Sequence, residues 1–492
     1  MTEQTNPTLL PAPLKGLGGI FKRIWVVIVG VVAVAVFLLW PVLSNSPVDY
    51  ADIEDHFKYG SIGSEPINGI PYWIWKVLPD LFPDKLPGEG YTSLGFIKEP
   101  DKDLPVGFSQ RRVFIDRIGL NCAVCHTGTL RNTPNSDEHQ VITTMPANVL
   151  NLQGYIKFLS AVGLDERFTA NRMLPEIEKL SGGLNPIEKL LYRYIAIPQT
   201  RDALINQAYR LNFVEEQPDW GPGRVDTFNP YKAIQFHFPM DKVREDELIG
   251  TSDFPSVWNQ KPREGLQLHW DGNNTSVDER NKSASLGTGV TPTTIDLPRL
   301  QRVADWLWEL PPPKYPYEVN ETLAATGKPL FESNCASCHA FGGANTGKVV
   351  PIQEIGTDRY RLDSYTYETM SNQNTLYAGY PWRFKNFRKT NGYANMPLDG
   401  VWLRGPYLHN GSVPTLRDLL EKTENRPQEF YRGYDVIDRE KVGFLSDVGE
   451  ENSKKYFKFD TTKPGNSNSG HLYGTDLPTE DKDALVEYMK KL

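Results

Sequence analysis

The chain is poor in residues that bind metals or take part in redox chemistry. Its 492 residues include only 4 cysteines, 7 methionines and 8 histidines. It also lacks an excess of positive charge, because the formal net charge is −8. This balance argues against nucleic acid or anionic lipid as a partner of the globular part, and it is compatible with a basic patch on a partner protein.

All four cysteines belong to two copies of one pattern. The copies read C-A-V-C-H from Cys122 to His126 and C-A-S-C-H from Cys335 to His339. C-x-x-C-H is the attachment signature of a c-type haem, in which both thiols bind haem vinyl groups and the histidine is the proximal iron ligand. We therefore predict two covalently attached haem c groups, one held by Cys122, Cys125 and His126, and one held by Cys335, Cys338 and His339.

Two other uses of paired cysteines fit less well. A four-cysteine zinc site requires the two pairs to converge, and it gives no role to a histidine after each pair. A thioredoxin-type redox pair requires a βαβ context, whereas we expect a helix before each motif. Haem attachment is therefore the preferred interpretation.

The stretch from Ile24 to Leu43 is apolar and contains no charged residue. It has about the 20 residues that cross a bilayer, and lysine and arginine precede it while acidic residues follow. The positive-inside rule then predicts a cytoplasmic tail at residues 1–23 and a single inner-membrane helix at 24–45, with the haem domains in the periplasm. A cleaved signal peptide is the alternative, but its apolar region is usually shorter.

The length predicts more than one domain. The stretch Pro311–Pro316 has four prolines in six residues and is typical of a stiff linker. We expect an N-terminal haem domain with insertions at 46–310 and a C-terminal haem domain at 317–492. The fold class predicted is mainly α, with two tandem cytochrome c-like domains, long loops and one preceding transmembrane helix.

Helical periodicity predicts where the haems are covered. In the second half, Glu321–Asn334 is the expected entry helix and Pro478–Leu492 the expected exit helix, and Leu297–Leu310 plays the exit role in the first half. Within the first-half insertions, 186–213 is expected to be helical. Its core candidates are Leu190, Leu191, Tyr194 and Ile195.

Three further stretches resemble a known superfamily. Residues 401–416, VWLRGPYLHNGSVPTL, resemble the P-Y-x-H-D/N-G-S-x-x-T-L signature of bacterial dihaem cytochrome c peroxidases and MauG. Together with His269-Trp-Asp-Gly-Asn273 and Gly470-His-Leu-Tyr-Gly-Thr475, they look closer to the rubber-oxygenase-like branch. The resemblance implies that the N-terminal haem is the reaction site, with an open or displaceable distal position, and that the C-terminal haem is six-coordinate and relays electrons.

The sixth ligand of the second haem has three candidates. His471 lies just before the exit helix in a glycine-flanked loop, and His409 lies in the superfamily signature. Met396 precedes a proline and has the look of an axial methionine. The axial methionine of the peroxidases is missing, because Thr423 stands fourteen residues after His409. A histidine ligand would give a lower potential than a methionine.

The distal side of the first haem has two candidate groups. His139 lies soon after the first motif but in an acidic stretch typical of a surface loop. The segment from His269 offers His269, Asp271 and Asn273 as catalytic groups that can hold dioxygen or peroxide, and a buried structural network around Asp271 is the alternative. The resemblance also implies an aromatic bridge between haems, for which Trp258 and Trp270 are candidates. Arg404 is a candidate partner for a haem propionate.

Three functions remain open at this stage. The preferred hypothesis is a peroxidase-like oxidoreductase using H2O2 or O2 and a redox partner such as a cytochrome c, a cupredoxin or a dehydrogenase. A non-catalytic electron-transfer cytochrome is the first alternative, and a rubber-oxygenase-like dioxygenase that cleaves C=C bonds is the second. The resemblance also makes a Ca2+ ion between the domains an expectation, although no ligand run indicates it.

Overall fold

The computed structural model describes residues 25–26, 28–30 and 45–492. Most of the predicted membrane helix at 24–45 and the predicted tail at 1–23 therefore lie outside the described residues. Within the described part, no helix is long and apolar enough to span a membrane. A spanning helix needs about 20 apolar residues, and the longest described helices have 14 residues of mixed polarity.

The prediction of a mainly α fold is wrong. The chain has 41% helix and 13% strand, and several strands lie in stretches that were expected to be loops or helices. The helices of seven or more residues span Ile53–Tyr59, Tyr72–Leu81, Leu152–Leu164, Ala170–Ser181, Ile197–Arg210, Val277–Gly287, Leu297–Glu309, Glu321–Asn334, Tyr367–Thr375 and Thr479–Met489. Shorter helices span Glu65–Asn68, Pro186–Leu191, Asn229–Ile234, Ala336–His339, Ile352–Ile355, Tyr360–Ser364 and Leu416–Leu419.

The largest sheet lies directly before the first motif. It contains β1 (Asn45–Pro47), β2 (Ile70–Pro71), β3 (Phe108–Val113) and β4 (Ile115–Leu120) in the antiparallel order β1-β3-β4-β2. The first motif thus follows a strand, which corrects the expectation of a helix there. The reason is that β3 and β4 pair as a tight hairpin. The hydrogen bonds between two short strands cannot be recognised from the spacing of apolar residues within either strand. The remaining strands form two-stranded ribbons at 127–130 with 140–143, 224–226 with 251–253, 349–351 with 392–394, 429–432 with 457–460, 437–438 with 443–444 and 450–451 with 454–455.

The expected helices around the second motif are present. Glu321–Asn334, the entry helix, begins after the capping residue Asn320, whose side chain accepts the Leu323 N–H. It crosses Thr479–Met489, the terminal helix, where Gly327 lies against the backbone of Ala484. Only glycine allows this approach, because an added Cβ would lie 1.9 Å from the Ala484 carbonyl oxygen.

The helical prediction for 186–213 is partly right. The stretch forms Pro186–Leu191, a π-helix at Tyr192–Ala196 and Ile197–Arg210. The predicted core positions are wrong for three of four residues, because Leu190, Tyr194 and Ile195 are exposed by 58%, 69% and 46%. Periodicity identifies a helix with an apolar stripe, but it does not tell whether another element covers that stripe.

Side chains from both halves of the chain pack into one hydrophobic core. The core around Trp402, Val413 and Leu485 in the second half also contains Met145 and Trp258 from the first. The proline-rich stretch is held against this core, since the Trp402 indole N–H donates to the Pro313 carbonyl at 2.9 Å. The domain boundaries stay a prediction.

Candidate functional site

The two motif histidines are held in the same way. The His126 Nδ1 lies 2.8 Å from the Pro255 carbonyl oxygen, and the His339 Nδ1 lies 2.7 Å from the Met396 carbonyl oxygen. A carbonyl only accepts, so Nδ1 carries the proton in both rings and Nε2 presents a lone pair. Burial lowers the pKa of His126 to about 4 and also lowers that of His339, which keeps both rings neutral. A neutral imidazole oriented through its other nitrogen is the usual form of a metal ligand.

The turn that carries the first motif is fixed by Asn121. Its side-chain oxygen accepts the Ala123 N–H at 3.0 Å, and its Nδ2 donates to the carbonyls of Lys58 and Gly60 at 3.2 and 3.0 Å. Asn121 is 1% exposed, so these bonds are shielded from water. They hold the residues from Cys122 onward against the helix Ile53–Tyr59.

His471 faces the second motif histidine. The ring centroids of His339 and His471 lie 6.1 Å apart, which leaves room for one metal ion between two nitrogens with bonds of about 2 Å on each side. His471 has a left-handed backbone with φ 49°, and its N–H donates to the Ile355 carbonyl at 2.8 Å. Its Nδ1 is buried without a hydrogen-bond partner, and burial lowers its pKa to about 3.

The other two candidates for the sixth ligand lie differently. His409 stacks on Tyr393 with ring centroids 3.9 Å apart, and its Nε2 hydrogen-bonds to the Tyr393 hydroxyl at 2.9 Å. Met396 uses its backbone carbonyl to hold His339 Nδ1. Of the three, His471 is the one whose ring is paired with that of His339.

The first motif opens into a cavity of about 1010 Å³. Cys122, Cys125 and His126 line one part of it, and His269, Trp270 and Asn273 also line it. Much of the remaining wall is apolar and includes Phe108, Leu152, Ile156, Leu159, Leu204 and Phe254. Among the residues that the structure describes, no second histidine ring faces His126 as His471 faces His339. The two motifs therefore differ in their surroundings.

Two of the three predicted distal groups contact each other. The His269 Nδ1 lies 2.5 Å from the Asn273 side-chain oxygen, so Nδ1 carries the proton and Nε2 is left as an acceptor. Burial lowers the pKa of His269 to about 4. The Asn273 Nδ2 is buried without a partner. Asp271 does not line the cavity and instead forms a buried ion pair with Arg361 at 3.1 Å, which fits the structural alternative.

The weaker distal candidate, His139, lies elsewhere. It does not line the cavity, its side chain is 46% exposed, and its Nδ1 contacts Asp435 at 2.7 Å. Nor does a calcium site emerge, because within the described part of the chain no group of three or more His, Cys, Asp or Glu could hold a metal ion.

Trp258 lies between the anchors of the two motif histidines. It follows Pro255, which holds His126, by three residues, and its indole N–H donates to the Asp399 carbonyl at 3.1 Å. Asp399 in turn follows Met396, which holds His339. Trp270 lines the cavity, and its indole N–H donates to the Asp253 carbonyl at 2.9 Å.

Several arginines line the cavity, and of these only Arg404 was predicted from the sequence. Arg404 lines the cavity but already pairs with Asp399 at 2.9 Å and donates to the Pro397 carbonyl. Arg280 also lines the cavity, yet among the described residues no carboxylate forms an ion pair with it, and its Nη2 donates only to Asn281 at 3.0 Å. Burial lowers the pKa of Arg280 to about 10. Its sequence context, Asp-Glu-Arg-Asn-Lys, is typical of a solvated helix face and does not indicate that Arg280 lines a cavity.

Comparison with known proteins gives a family-model match to a short segment of this chain, and two relatives. Residues 392–432 match the family model described as RoxA-like, cytochrome c-like. The chain is 34% identical over 250 residues to uncharacterized protein y4iM of Sinorhizobium fredii, which covers 45% of this chain and 56% of that protein. It is 24% identical over 529 residues to uncharacterized protein y4iJ of the same organism, with 83% and 85% covered. The chain thus spans little more than half of the first relative's length.

The matched segment lies in the second half of the chain and contains neither the motif Cys335–His339 nor His471. It includes Met396, whose carbonyl holds His339, and the conspicuous stretch around His409. A cytochrome c-like domain implies covalently bound haem c, and it indicates a haem-dependent oxidoreductase role without naming a reaction.

Proposed function

We propose that the chain binds two haem c groups and is an oxidoreductase in which the first haem reacts with peroxide or O2 while the second relays electrons. The observation that carries this proposal is the unequal surroundings of the two motifs. His339 faces His471 at a ring separation of 6.1 Å, whereas His126 opens into a cavity of about 1010 Å³. A haem iron with a free axial position binds small oxidants, and one with two strong protein ligands mainly transfers electrons.

The residues present fit the proposed cofactors. At each motif two half-buried thiols adjoin a histidine whose Nδ1 is hydrogen-bonded to a carbonyl and whose Nε2 has no hydrogen-bond partner among the described residues. In the first cavity Arg280 forms no ion pair with a carboxylate of the described part of the chain, and a haem propionate is a carboxylate that suits it. In the second site the unpartnered Nδ1 of His471 shows that this ring is not spent on a structural hydrogen bond.

His269 and Asn273 have the role of handling the oxidant. With Nδ1 protonated by its bond to Asn273, the Nε2 of His269 accepts a proton from a hydroperoxide or hydrogen-bonds to its hydroxyl group. The pKa of His269 near 4 keeps this nitrogen available as an acceptor at neutral pH. Asn273 retains one amide N–H pair without a protein partner, which can donate to the oxidant.

Electron transfer between the sites is proposed to pass near Trp258. This indole bonds to Asp399 and lies under the Arg404 guanidinium at 5.4 Å from its ring centroid. It is 1% exposed, so the path is shielded from water. The external electron donor is proposed to be a redox protein, and a periplasmic location is proposed because c-type haem is attached there in bacteria.

One observation favours a dioxygenase as a second candidate function. The wall of the first cavity is largely apolar and its volume is large. These features suit an apolar organic co-substrate beside O2, as in the rubber-oxygenase-like branch that the chain resembles.

The spin states of the two haems test the proposal. The ferric protein should show one high-spin and one low-spin signal in electron paramagnetic resonance, and the high-spin signal should respond to cyanide and peroxide. His471→Ala should add a second high-spin signal, because its ring is the one paired with His339. His409→Ala is the matched control, since it removes a buried histidine that stacks on Tyr393, and it should leave both signals in place.

The outcomes separate the functions. Two low-spin haems without response to peroxide, cyanide or CO would identify an electron carrier and refute both enzyme functions. Peroxide turnover with a small electron donor supports the peroxidase, whereas uptake of O2 into an added alkene supports the dioxygenase. If His471→Ala leaves the low-spin signal unchanged, the relay assignment is wrong.

A further inference from the structure

Large apolar side chains project into solvent from the helix Pro186–Leu191 and the π-helix that continues it. Ile187, Leu190, Tyr194 and Ile195 are exposed by 57%, 58%, 69% and 46%. The first three are spaced i, i+3 and i+7, which places them on one face of the helix. Isolated exposed apolar residues are ordinary, but a contiguous apolar stripe marks a surface that contacts something else.

A second element adds an aromatic residue to the same region. Phe114 forms the tip of the β3–β4 hairpin, between the paired residues Val113 and Ile115, and is 53% exposed. Its φ is 62°, a left-handed conformation that a bulky residue adopts only at a cost and that glycine would adopt freely. An aromatic side chain kept in such a conformation and exposed contributes little to the fold.

An ion pair joins the two elements. Arg112, two residues before Phe114, lies 3.8 Å from Glu188 on the helix Pro186–Leu191. We call the combined surface the apolar patch and define it by Phe114, Ile187, Leu190, Tyr194 and Ile195.

The uncharged run of the sequence joins the body at this patch. Strand β1 begins at Asn45, and Asn45 pairs with Val113, next to Phe114. Residues 24–43 contain no charged side chain, and Leu43 lies two residues before Asn45 in the sequence, the first residue of β1. A run of this composition needs an apolar surrounding, and its point of attachment lies beside the patch.

We propose that the apolar patch rests on the surface of a lipid bilayer, with its side chains among the lipid acyl chains and Tyr194 at the headgroup level. The bilayer is favoured over a soluble partner because the chain enters β1, beside the patch, directly after the uncharged run. An apolar phase such as the bilayer interior would accommodate both the run and the patch. Contact through apolar side chains needs no anionic lipid, which agrees with the net charge of −8.

This orientation has a consequence for the first cavity. Ala196, Gln199 and Ala203, on the continuation of the same helical stretch, line that cavity. The patch therefore brings the cavity that contains the first motif close to the lipid surface. The inference does not depend on which reaction occurs there.

Nitroxide labels test the contact in the full chain with haem bound. In the loaded protein all four native cysteines are used by the motifs, so Phe114→Cys, Leu190→Cys and Tyr194→Cys each add a single free thiol. Tyr367→Cys is the matched control, because Tyr367 is 71% exposed and does not belong to the patch. Each variant is placed with vesicles of pure phosphatidylcholine, and an unchanged haem absorption spectrum shows that it is folded.

Accessibility to two relaxing agents is the readout. At 114, 190 and 194 the label should gain accessibility to O2 and lose accessibility to a water-soluble nickel chelate, relative to the label at 367. Aqueous values at all three patch positions would overturn the proposal. Low accessibility to both agents at these positions would also overturn it, because it means that protein covers the patch, either residues 1–44 of the same chain or a second copy.

Discussion

The crossing of the entry helix and the terminal helix provides a sharp test, through Gly327→Ala. A Cβ at this position would lie 1.9 Å from the Ala484 carbonyl oxygen and 2.5 Å from its carbonyl carbon. Real Cβ contacts are essentially never under 3.0 Å, so the two helices must separate by at least 1.1 Å there. The obstacle is backbone, which cannot rotate away as a side chain does.

Two opposing effects set the magnitude. Alanine is favoured over glycine inside a helix by about 1 kcal/mol. Forcing apart a packed interface costs about 1–3 kcal/mol and occasionally more, and here the contact also involves the fully buried Leu485 and the 4% exposed Phe331. The net effect we expect is a loss of up to about 2 kcal/mol of unfolding free energy.

The same separation should affect the second haem site. The entry helix ends at Asn334, directly before Cys335, and His471 lies eight residues before the terminal helix. Moving these helices apart should lengthen the 6.1 Å separation between the His339 and His471 rings and raise the high-spin fraction of that haem.

Denaturant unfolding and the absorption spectrum are the measurements. Gly287→Ala is the matched control, because Gly287 is also in a helix and a Cβ there would have no neighbour within 4 Å. This control should be neutral or slightly stabilising. If Gly327→Ala is as stable as Gly287→Ala, the packing of the two helices is not as close as described, and the reasoning is refuted.

Two further predictions concern charged side chains. Arg280→Leu should lower the midpoint potential of the first haem by on the order of 59 mV, a tenfold change in a one-electron equilibrium, because the cation that balances a propionate is lost. Arg280→Lys keeps the cation and should restore most of the potential. A redox titration in which the Leu and Lys variants have the same potential would disprove the pairing. For Glu451, burial acts to raise the pKa, but hydrogen bonds from Tyr434, the Asn135 N–H and Arg131 outweigh it and lower the pKa to about 2. The carboxylate therefore stabilises the fold above its unfolded pKa near 4.5, and this contribution is lost as pH falls toward 2. Glu451→Gln should cost about 1.5–3 kcal/mol at neutral pH, because the hydrogen bonds lose a charged acceptor. It should also flatten the acid dependence of urea unfolding between these two pH values, whereas an equal dependence in both proteins would contradict this account.

Local chemistry explains which parts of the site were predictable. The two motifs, the helix Glu321–Asn334 and the helix Leu297–Glu309 follow from neighbouring residues alone. The sixth ligand of the second haem could not be chosen from the sequence among His471, His409 and Met396. These residues lie far from His339 in the sequence, and only the crossing of helices decides which of them comes close to it. Arg280 was missed for the same reason, since nothing in its own helix indicates that it lines a cavity.

Pairing between segments explains the errors in the fold. The hairpin of β3 and β4 is stabilised by bonds between two strands, which a single strand does not reveal. The apolar positions Leu190 and Tyr194 have the spacing of a core helix, yet no described element covers them. Periodicity reports what a face is made of, and the tertiary structure decides what lies against it.

The sequence by itself determined the chemistry of attachment, because C-x-x-C-H carries both thiols and the proximal histidine within five residues. Only the tertiary structure decided how the two motifs differ. It brought His471 opposite His339, left His126 beside a large cavity with His269, and placed the apolar patch beside the strand that follows the uncharged run. The physical reason is that a covalent signature is local, whereas an axial ligand, a cavity and an exposed face each depend on contacts between distant parts of the chain.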